Sequence, residues 1–91
     1  MTPSKAVPVT VTLYTAPGCS LCDDAKAEIQ RAQRGTPFVF EEVDISRDAA
    51  LEARYRARIP YLLVNGRPAF KYRVTAEALA DAVRRAAFAA R

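Results

Sequence analysis

Residues 13–22, LYTAPGCSLC, contain the only two cysteines of the 91-residue chain, Cys19 and Cys22. Residues 9–14 alternate apolar and polar side chains and are rich in β-branched residues, which predicts a strand. Residues 21–34 carry apolar side chains three or four positions apart, which predicts an amphipathic helix. A Pro-Gly pair between the two elements marks a turn. This part of the chain therefore predicts a strand that turns directly into a cysteine pair at the start of a helix.

The position of the cysteines at the start of a helix favours redox chemistry. Unpaired backbone N–H groups and the positive end of the helix dipole favour the thiolate form of Cys19 there. Asp23 and Asp24 bring negative charge into the same turn, so we expect the pKa of Cys19 to be lowered only moderately. Cys22 lies one turn further on the same face, close enough to form a disulfide with Cys19. An attacking thiolate beside a resolving thiol is the minimum requirement for thiol–disulfide exchange.

Other uses of a Cys-x-x-Cys pair stay open at this point. Structural zinc needs four ligands, usually Cys and His, and the chain has no His and no third Cys. A single chain would have to complete such a site with carboxylates such as Asp23 and Asp24, whereas two chains could share a metal or cluster through their cysteines. A purely structural disulfide is disfavoured because so short a loop constrains the unfolded chain little. A vestigial pair is the remaining alternative.

Composition and charge describe one ordinary globular domain. Hydrophobic residues make up 51% and charged residues 26% of the chain, and no apolar run has the length of a membrane span. We interpret residues 1–8 as a loose leader without the apolar segment of a secretory signal, and residues 9–91 as the domain. The expected compartment is the cytoplasm, where such a cysteine pair cycles between its two states.

The net charge of +4 is unevenly distributed along the chain. Residues 1–46 hold 4 basic and 6 acidic side chains, and residues 47–91 hold 10 basic and 4 acidic ones. The arginines of the basic half are spread over predicted helix faces and turns and form no known binding motif. We therefore expect neither a nucleic-acid partner nor a membrane partner.

The first half of the chain predicts a strand–helix–strand unit. Gly35 is predicted to cap the first helix at its C-terminus. Residues 38–45 predict a second strand, and Ser46 is the expected N-cap of a second helix that contains Leu51 and Tyr55. Two strands joined through a helix form a parallel pair.

The second half predicts a hairpin and a final helix. Pro60 is predicted to be the first residue of a third strand, residues 60–64, and Asn65-Gly66 is the strongest hairpin signal in the chain. Pro68 predicts that the fourth strand, residues 67–72, lies at an edge of the sheet. Thr75 is the expected cap of a helix over residues 76–90. The resulting order is β-α-β-α-β-β-α, an α/β fold in which helices flank a four-stranded mixed sheet.

From residue 9 to its end, the chain resembles the thioredoxin-fold redox proteins, and within them the glutaredoxin-like group. The resemblance rests on LYTAPGCSLC, on Val43-Asp44-Ile45, on Arg58-Ile59-Pro60 and on the Asn65-Gly66 hairpin, in this order and spacing. It implies that Cys19 is the nucleophile and Cys22 the resolving thiol. It also implies a cis Ile59–Pro60 bond that faces the cysteines and leaves the Ile59 backbone free to pair with an extended substrate.

The substrate-binding residues implied by the resemblance are Tyr14, Ser20, Leu21, Arg58, Ile59 and Pro60. Tyr14 precedes the cysteine loop and could line the substrate groove, although a tyrosine at a strand end is often only an edge of the core. Arg58, and Arg56 before it, could offer charge to a substrate carboxylate or could simply be exposed arginines at a helix end. Pro60 could equally be an ordinary proline at a strand start.

The chain departs from the glutaredoxin pattern in three places. Dithiol glutaredoxins usually have Pro-Tyr between the cysteines, where this chain has Ser20-Leu21, and no lysine lies just upstream of Cys19. The Gly-Gly-Asp-like element with which glutaredoxins grip glutathione is replaced by KYRVT at residues 71–75. Non-glycine side chains there would crowd a close backbone approach, and Lys71 and Arg73 could supply charge instead.

The sequence therefore predicts a thiol–disulfide oxidoreductase that reduces disulfides or mixed disulfides through its cysteine pair. The expected partners are a disulfide-containing protein or a glutathione mixed disulfide, together with a thiol donor system. No bound cofactor is expected, and glutathione is a candidate reductant. The alternative is a non-catalytic binding module of the same fold, which either shares a metal or iron–sulfur cluster between chains or acts as an adaptor.

Overall fold

Four strands and three helices form residues 8–89, which are the part of the chain that this computed structural model describes. In chain order they are β1 (Thr10–Thr15), α1 (Ser20–Gly35), β2 (Val39–Asp44), a 3₁₀ turn (Ile45–Arg47), α2 (Ala49–Tyr55), β3 (Tyr61–Val64), β4 (Arg67–Lys71) and α3 (Ala76–Ala89). The predicted element order and the thioredoxin-like fold are thereby confirmed. Of the predicted leader, residues 1–7 lie outside the described residues. No helix within residues 8–89 is long and apolar enough to cross a membrane.

The sheet is mixed and has the strand order β2-β1-β3-β4. β1 pairs in parallel with β2 and antiparallel with β3, and β3 pairs antiparallel with β4. β4 therefore lies at the edge, where Pro68 costs no ladder hydrogen bond to a further strand. Asn65 and Gly66 join β3 to β4 with φ angles of 51° and 79°. Positive φ at both central residues is what a tight type I′ hairpin requires.

The core lies on the face of the sheet that α1 and α3 cover. Val11 and Leu13 of β1 point into it at alternate positions and are 0% exposed. They pack in one cluster with Ile29 of α1 and Leu79 of α3, each also 0% exposed. Burying a side chain of this size stabilises the fold by about 1.5–3 kcal/mol. Because Ile29 anchors α1 on the sheet, the core fixes the helix that carries both cysteines.

Two predicted capping residues are wrong. α1 does end at Gly35, but the capping residue is Thr36 in an extended conformation, and its N–H donates to the Ala32 carbonyl. Ser46 does not cap α2; it lies in the 3₁₀ turn, and its hydroxyl and N–H both donate to the Asp44 carboxylate. Asp48 is the N-cap of α2 instead. Asp44, Ser46 and Asp48 are all residue types that cap helices, and they lie within five positions. The two hydrogen bonds from Ser46 to Asp44 hold Ser46 in the 3₁₀ turn, and Asp48 caps α2.

Candidate active site

Cys19 is the N-cap of α1, as the sequence predicted. Its backbone is extended, with φ −97° and ψ 104°, and its Sγ accepts a hydrogen bond of 3.1 Å from the Cys22 N–H. Gly18 adopts φ +78°, a left-handed conformation that turns the chain from β1 into the helix. Sγ therefore takes the place that a capping oxygen has in other helices. A negative charge on Sγ would be stabilised by this N–H and by the helix dipole.

Cys19 and Cys22 form a disulfide, and their Cα atoms are 5.2 Å apart. Cys22 is only 1% exposed, because it lies on the side of α1 that faces the sheet, whereas Cys19 is half-buried. An external thiol or disulfide can therefore reach the sulfur of Cys19 more easily than that of Cys22. The two sulfurs of this helix turn therefore differ in accessibility.

The Ile59–Pro60 peptide bond is cis, and Pro60 is among the fully buried side chains. The pairing of Tyr14 with Tyr61 places Pro60 beside Thr15, at the end of the sheet from which the chain leaves for Cys19. The Pro60 carbonyl accepts the Tyr72 N–H at 2.7 Å. The N–H and carbonyl of Ile59 make no hydrogen bond within residues 8–89. They are therefore available to an extended segment of a substrate.

Tyr14 packs with two other tyrosines on the sheet face opposite the core. Its ring centroid lies 4.6 Å from that of Tyr55 on α2 and 6.4 Å from that of Tyr61 on β3, and the latter two are 5.0 Å apart. Tilted and stacked rings at these distances stabilise the fold in addition to the apolar surface that they bury. The cluster joins α2 to the sheet, which supports the core-edge interpretation of Tyr14. Its role in substrate binding stays a prediction.

The remaining predicted substrate residues are divided between two cavities and the open surface. Leu21 is half-buried and lines a cavity of about 500 Å³ with Arg73 and Thr75. Arg58 is exposed and lines a different cavity of about 340 Å³ with Tyr61 and Lys71. Ser20, the first residue of α1, is exposed. The structure therefore does not bring Leu21 and Arg58 together in one pocket.

Tyr72 is a residue at the site that the sequence reasoning missed. It has φ 72°, which is uncommon for a non-glycine residue, and its side-chain hydroxyl donates to the Ala57 carbonyl at 2.9 Å. With the Tyr72 N–H bonded to Pro60, this residue ties the segment after β4 to the segment before β3. No local signal predicts this, because both partners are more than ten residues away in the sequence.

A carboxylate of the chain itself lies at the N-terminus of α3. Glu28 on α1 accepts the Ala76 N–H at 2.7 Å and a guanidinium N–H of Arg31 at 3.0 Å. The hydrogen bond from Ala76 is the largest cause of the lowered pKa of Glu28, and the hydrogen bond from Arg31 is the second. Thr75 caps the same helix as predicted, since its hydroxyl oxygen accepts the Ala78 N–H at 3.1 Å. The helix end that borders the cavity of Leu21 is thus occupied by Glu28.

Acidic side chains surround the other side of the cysteine loop. A cavity of about 350 Å³ is lined by residues 15–18 together with Asp23, Glu42 and Asp44. Glu42 forms an ion pair of 2.9 Å with Lys26, whose pKa it raises by its hydrogen bond and its charge. Hydrogen bonds from Ser46 lower the pKa of Asp44, so this carboxylate stays ionised. Within the described residues, no group of three or more Cys, Asp or Glu side chains is arranged to hold a metal ion.

The sequence matches the family model described as "Glutaredoxin-like domain (DUF836)" over residues 10–84. Among solved structures, protein XcR50 from X. campestris is 34% identical; the match covers 82% of this chain and 96% of that one, with a TM-score of 0.69. Both comparisons agree with the fold.

Two more distant structures share the fold alone. Protein Ne2328 from Nitrosomonas europaea is 20% identical, with a TM-score of 0.73 over 89% of this chain and 98% of that one. Thioredoxin-2, described as a component of the protein secretion machinery of the malaria parasite, is 20% identical, with a TM-score of 0.65 over 86% of this chain and 82% of that one. The arrangement of helices and sheet is therefore that of thioredoxin-fold proteins.

Proposed function

This chain belongs to the glutaredoxin-like domain family, and on that premise we propose that it is a thiol–disulfide oxidoreductase. One observation carries the proposal: Cys19, the more accessible of the two cysteines, caps α1 and forms a disulfide with the buried Cys22. Family membership and the disulfide support a redox role. The accessible sulfur, the hydrogen-bond donor beside it and the resolving sulfur one turn away are the parts that disulfide reduction needs.

In the proposed reaction, the Cys19 thiolate attacks one sulfur of a substrate disulfide. A bond forms between Cys19 and that sulfur, and the other substrate sulfur leaves as a thiolate that takes a proton from solvent. Cys22 then loses its proton and attacks the Cys19 sulfur, which releases the second substrate thiol and leaves the Cys19–Cys22 disulfide. The cysteine pair has lost two electrons and the substrate has gained them.

A thiol donor completes the cycle by attacking the Cys19–Cys22 disulfide at Cys19, the more accessible sulfur. A first donor thiolate attacks the Cys19 sulfur, forms a mixed disulfide with it and releases Cys22, which takes up a proton. A second donor thiolate attacks the donor sulfur of this mixed disulfide, which forms the donor disulfide and releases Cys19 as a thiolate, so that two electrons return to the protein. Glutathione or a protein dithiol can serve as this donor. We propose the cytoplasm as the compartment, because donors of this kind keep thiols reduced there.

The substrate is proposed to lie across Pro60 as an extended segment. The unbonded N–H and carbonyl of Ile59 support this, since they can pair with a strand that arrives from outside. Ser20 and Leu21, the two residues between the cysteines, would contact the substrate next to its disulfide. Arg58 and Tyr14 would contact it at a greater distance from the disulfide. Such pairing holds the substrate sulfur in line with Cys19, which lowers the entropic cost of the attack.

The test compares wild type with Cys19→Ser and Cys22→Ser on two substrates, a glutathionylated peptide with glutathione as reductant and a protein disulfide with a dithiol reductant. We expect Cys19→Ser to abolish turnover on both. Cys22→Ser should accumulate a mixed disulfide with the protein substrate, detected as a mass increase that dithiothreitol reverses. Full activity of Cys19→Ser would refute the mechanism.

The same preparation tests the non-catalytic alternative. A protein that shares a metal or iron–sulfur cluster between chains would hold metal after anaerobic purification and would lose both metal and dimer in Cys19→Ser. Metal analysis and size-exclusion chromatography of wild type and Cys19→Ser measure this directly. Absence of turnover combined with such a metal-dependent dimer would favour the binding module.

A further inference from the structure

Three exposed cations, Arg58, Lys71 and Arg73, lie around the backbone of Pro60 on the β3–β4 side of the site; we call them the basic rim. Arg58 comes two residues before Pro60, and Lys71 is paired with Tyr61, the residue after it. Arg73 lines the cavity that reaches Leu21 between the two cysteines. None of the three forms an ion pair with another residue of the described part of the chain.

Tyr72 fixes the basic rim relative to Pro60. Its N–H donates to the Pro60 carbonyl at 2.7 Å, and its hydroxyl donates to the Ala57 carbonyl at 2.9 Å, next to Arg58. The Lys71 ammonium lies 5.3 Å from the centroid of the Tyr72 ring. The backbones that carry the three cations are therefore joined to one another; Arg58 and Lys71 line one cavity, and Arg73 lines the cavity of Leu21.

The charge on the opposite side of the site is negative. Asp23, Glu42 and Asp44 line the cavity beside the cysteine loop, and Glu42 forms an ion pair with Lys26. A substrate across the site therefore meets cations on one side and carboxylates on the other. A uniformly charged polyanion such as nucleic acid would be repelled by the acidic side, whereas a polypeptide can be acidic on one flank only.

The N-terminus of α3, the other feature here that could hold an anion, is already occupied. Its Ala76 N–H is bonded to Glu28, and Glu28 is paired with Arg31. A substrate carboxylate would have to displace this internal carboxylate to bind there. The side chains of the basic rim are thus the groups open to an anion of the substrate.

We propose that the basic rim binds the carboxylates of an acidic polypeptide segment next to the disulfide that the protein reduces. The inference rests on the proposed function and names the class of its substrate: a protein disulfide with Asp or Glu residues on the flank that lies over β3 and β4. The basic rim would increase the rate at which an acidic substrate associates with the protein, because charges at the border of an interface change the association rate and its salt dependence.

Three synthetic disulfide-containing peptides test this proposal. They share one cysteine loop and differ in one flank, which carries two Asp and one Glu, three neutral residues, or three Lys. The ratio of kcat/KM between the acidic and the neutral peptide is measured at low and at high salt for wild type, for Arg58→Glu/Lys71→Glu/Arg73→Glu and for Arg67→Glu. Arg67 is a matched control, because it is exposed at the opposite end of β4.

Each exposed charge pair contributes about a two- to fivefold effect, so wild type should prefer the acidic peptide by about tenfold or more. High salt should remove most of this preference. The triple variant should lose the preference or reverse it towards the Lys peptide, and Arg67→Glu should keep it. Because the readout is a ratio between peptides, a general loss of catalysis in a variant does not imitate the result.

Equal reduction of the three peptides by wild type, or an unchanged ratio in the triple variant, would overturn the basic rim as a recognition surface and leave the proposed function standing. A loss in Arg67→Glu that is one third of the logarithmic loss in the triple variant would also overturn it, because the preference would then follow net charge alone, which falls by about 2 in one variant and by about 6 in the other. A wild-type protein that reduces none of the peptides would overturn the proposed function and this inference with it.

Discussion

Reduction of the Cys19–Cys22 disulfide should destabilise the folded protein by about 1.5 kcal/mol at neutral pH. Closing a loop between residues three positions apart removes conformational entropy from the unfolded chain worth about 2 kcal/mol in the loop-closure model. The reduced protein recovers part of this through the thiolate of Cys19. If the lowering of the Cys19 pKa is moderate, so that the thiol is about half ionised at neutral pH, this gain is RT ln 2, or about 0.4 kcal/mol, which is smaller than the entropy term and does not change the sign of the difference.

The sign bears on the direction of the reaction, because the less stable reduced form is the better electron donor. A difference of about 1.5 kcal/mol corresponds to a reduction potential about 30 mV below that of the same cysteine pair in the unfolded chain. Asp23, in the first turn of α1, limits the gain from the thiolate. A lower potential makes the reduced cysteine pair a stronger electron donor, as the proposed reduction of disulfides requires.

The measurement is urea denaturation of the oxidised protein and of the protein with excess phosphine reductant, followed by circular dichroism. The Cys19→Ser/Cys22→Ser variant with and without reductant controls for effects of the reductant itself. Lowering the pH should increase the difference towards about 2 kcal/mol, because the thiolate contribution to the reduced form disappears as Cys19 is protonated. A reduced form as stable as the oxidised form, or more stable, would refute this reasoning.

Three further results are expected. Asp23→Asn should increase the rate at which iodoacetamide alkylates Cys19 in the reduced protein at neutral pH, because a negative charge beside the thiolate is removed; an unchanged or lower rate would contradict this. Glu28→Gln should destabilise the fold at neutral pH and much less in acid. The depressed pKa of Glu28 makes its contribution present above its pKa in the unfolded chain and lost as the pH falls through its folded pKa. Parallel pH profiles of the free energy of unfolding for wild type and variant would refute it. Asp48→Ala should lower the free energy of unfolding by about 1 kcal/mol, because two N–H groups of α2 lose their acceptor, and an equal loss in Ser46→Ala would show that the cap is misassigned.

The strands, helices and hairpin of this chain could be predicted from the sequence because their signals are local. The alternation in residues 9–14 and the three- and four-residue spacing after Cys19 are properties of neighbours, and the structure has β1 and α1 within one residue of the predicted bounds. Asn65-Gly66 defines the hairpin by its own backbone preference. The two wrong caps show the limit of this reasoning, because several capping side chains lay within a few residues of each other.

The sequence by itself also determined the spacing of the cysteines and their place at the start of α1, which follow from adjacent residues and predict redox chemistry. Only the tertiary structure decided which groups surround them. Glu28 reaches the N-terminus of α3 across 48 positions, and Tyr72 binds Ala57 across 15. Periodicity and propensity carry no information about such pairs. The packing of α1 against α3 brings the first pair together and fills this helix end with Glu28, and the pairing of β3 with β4 brings the second pair together.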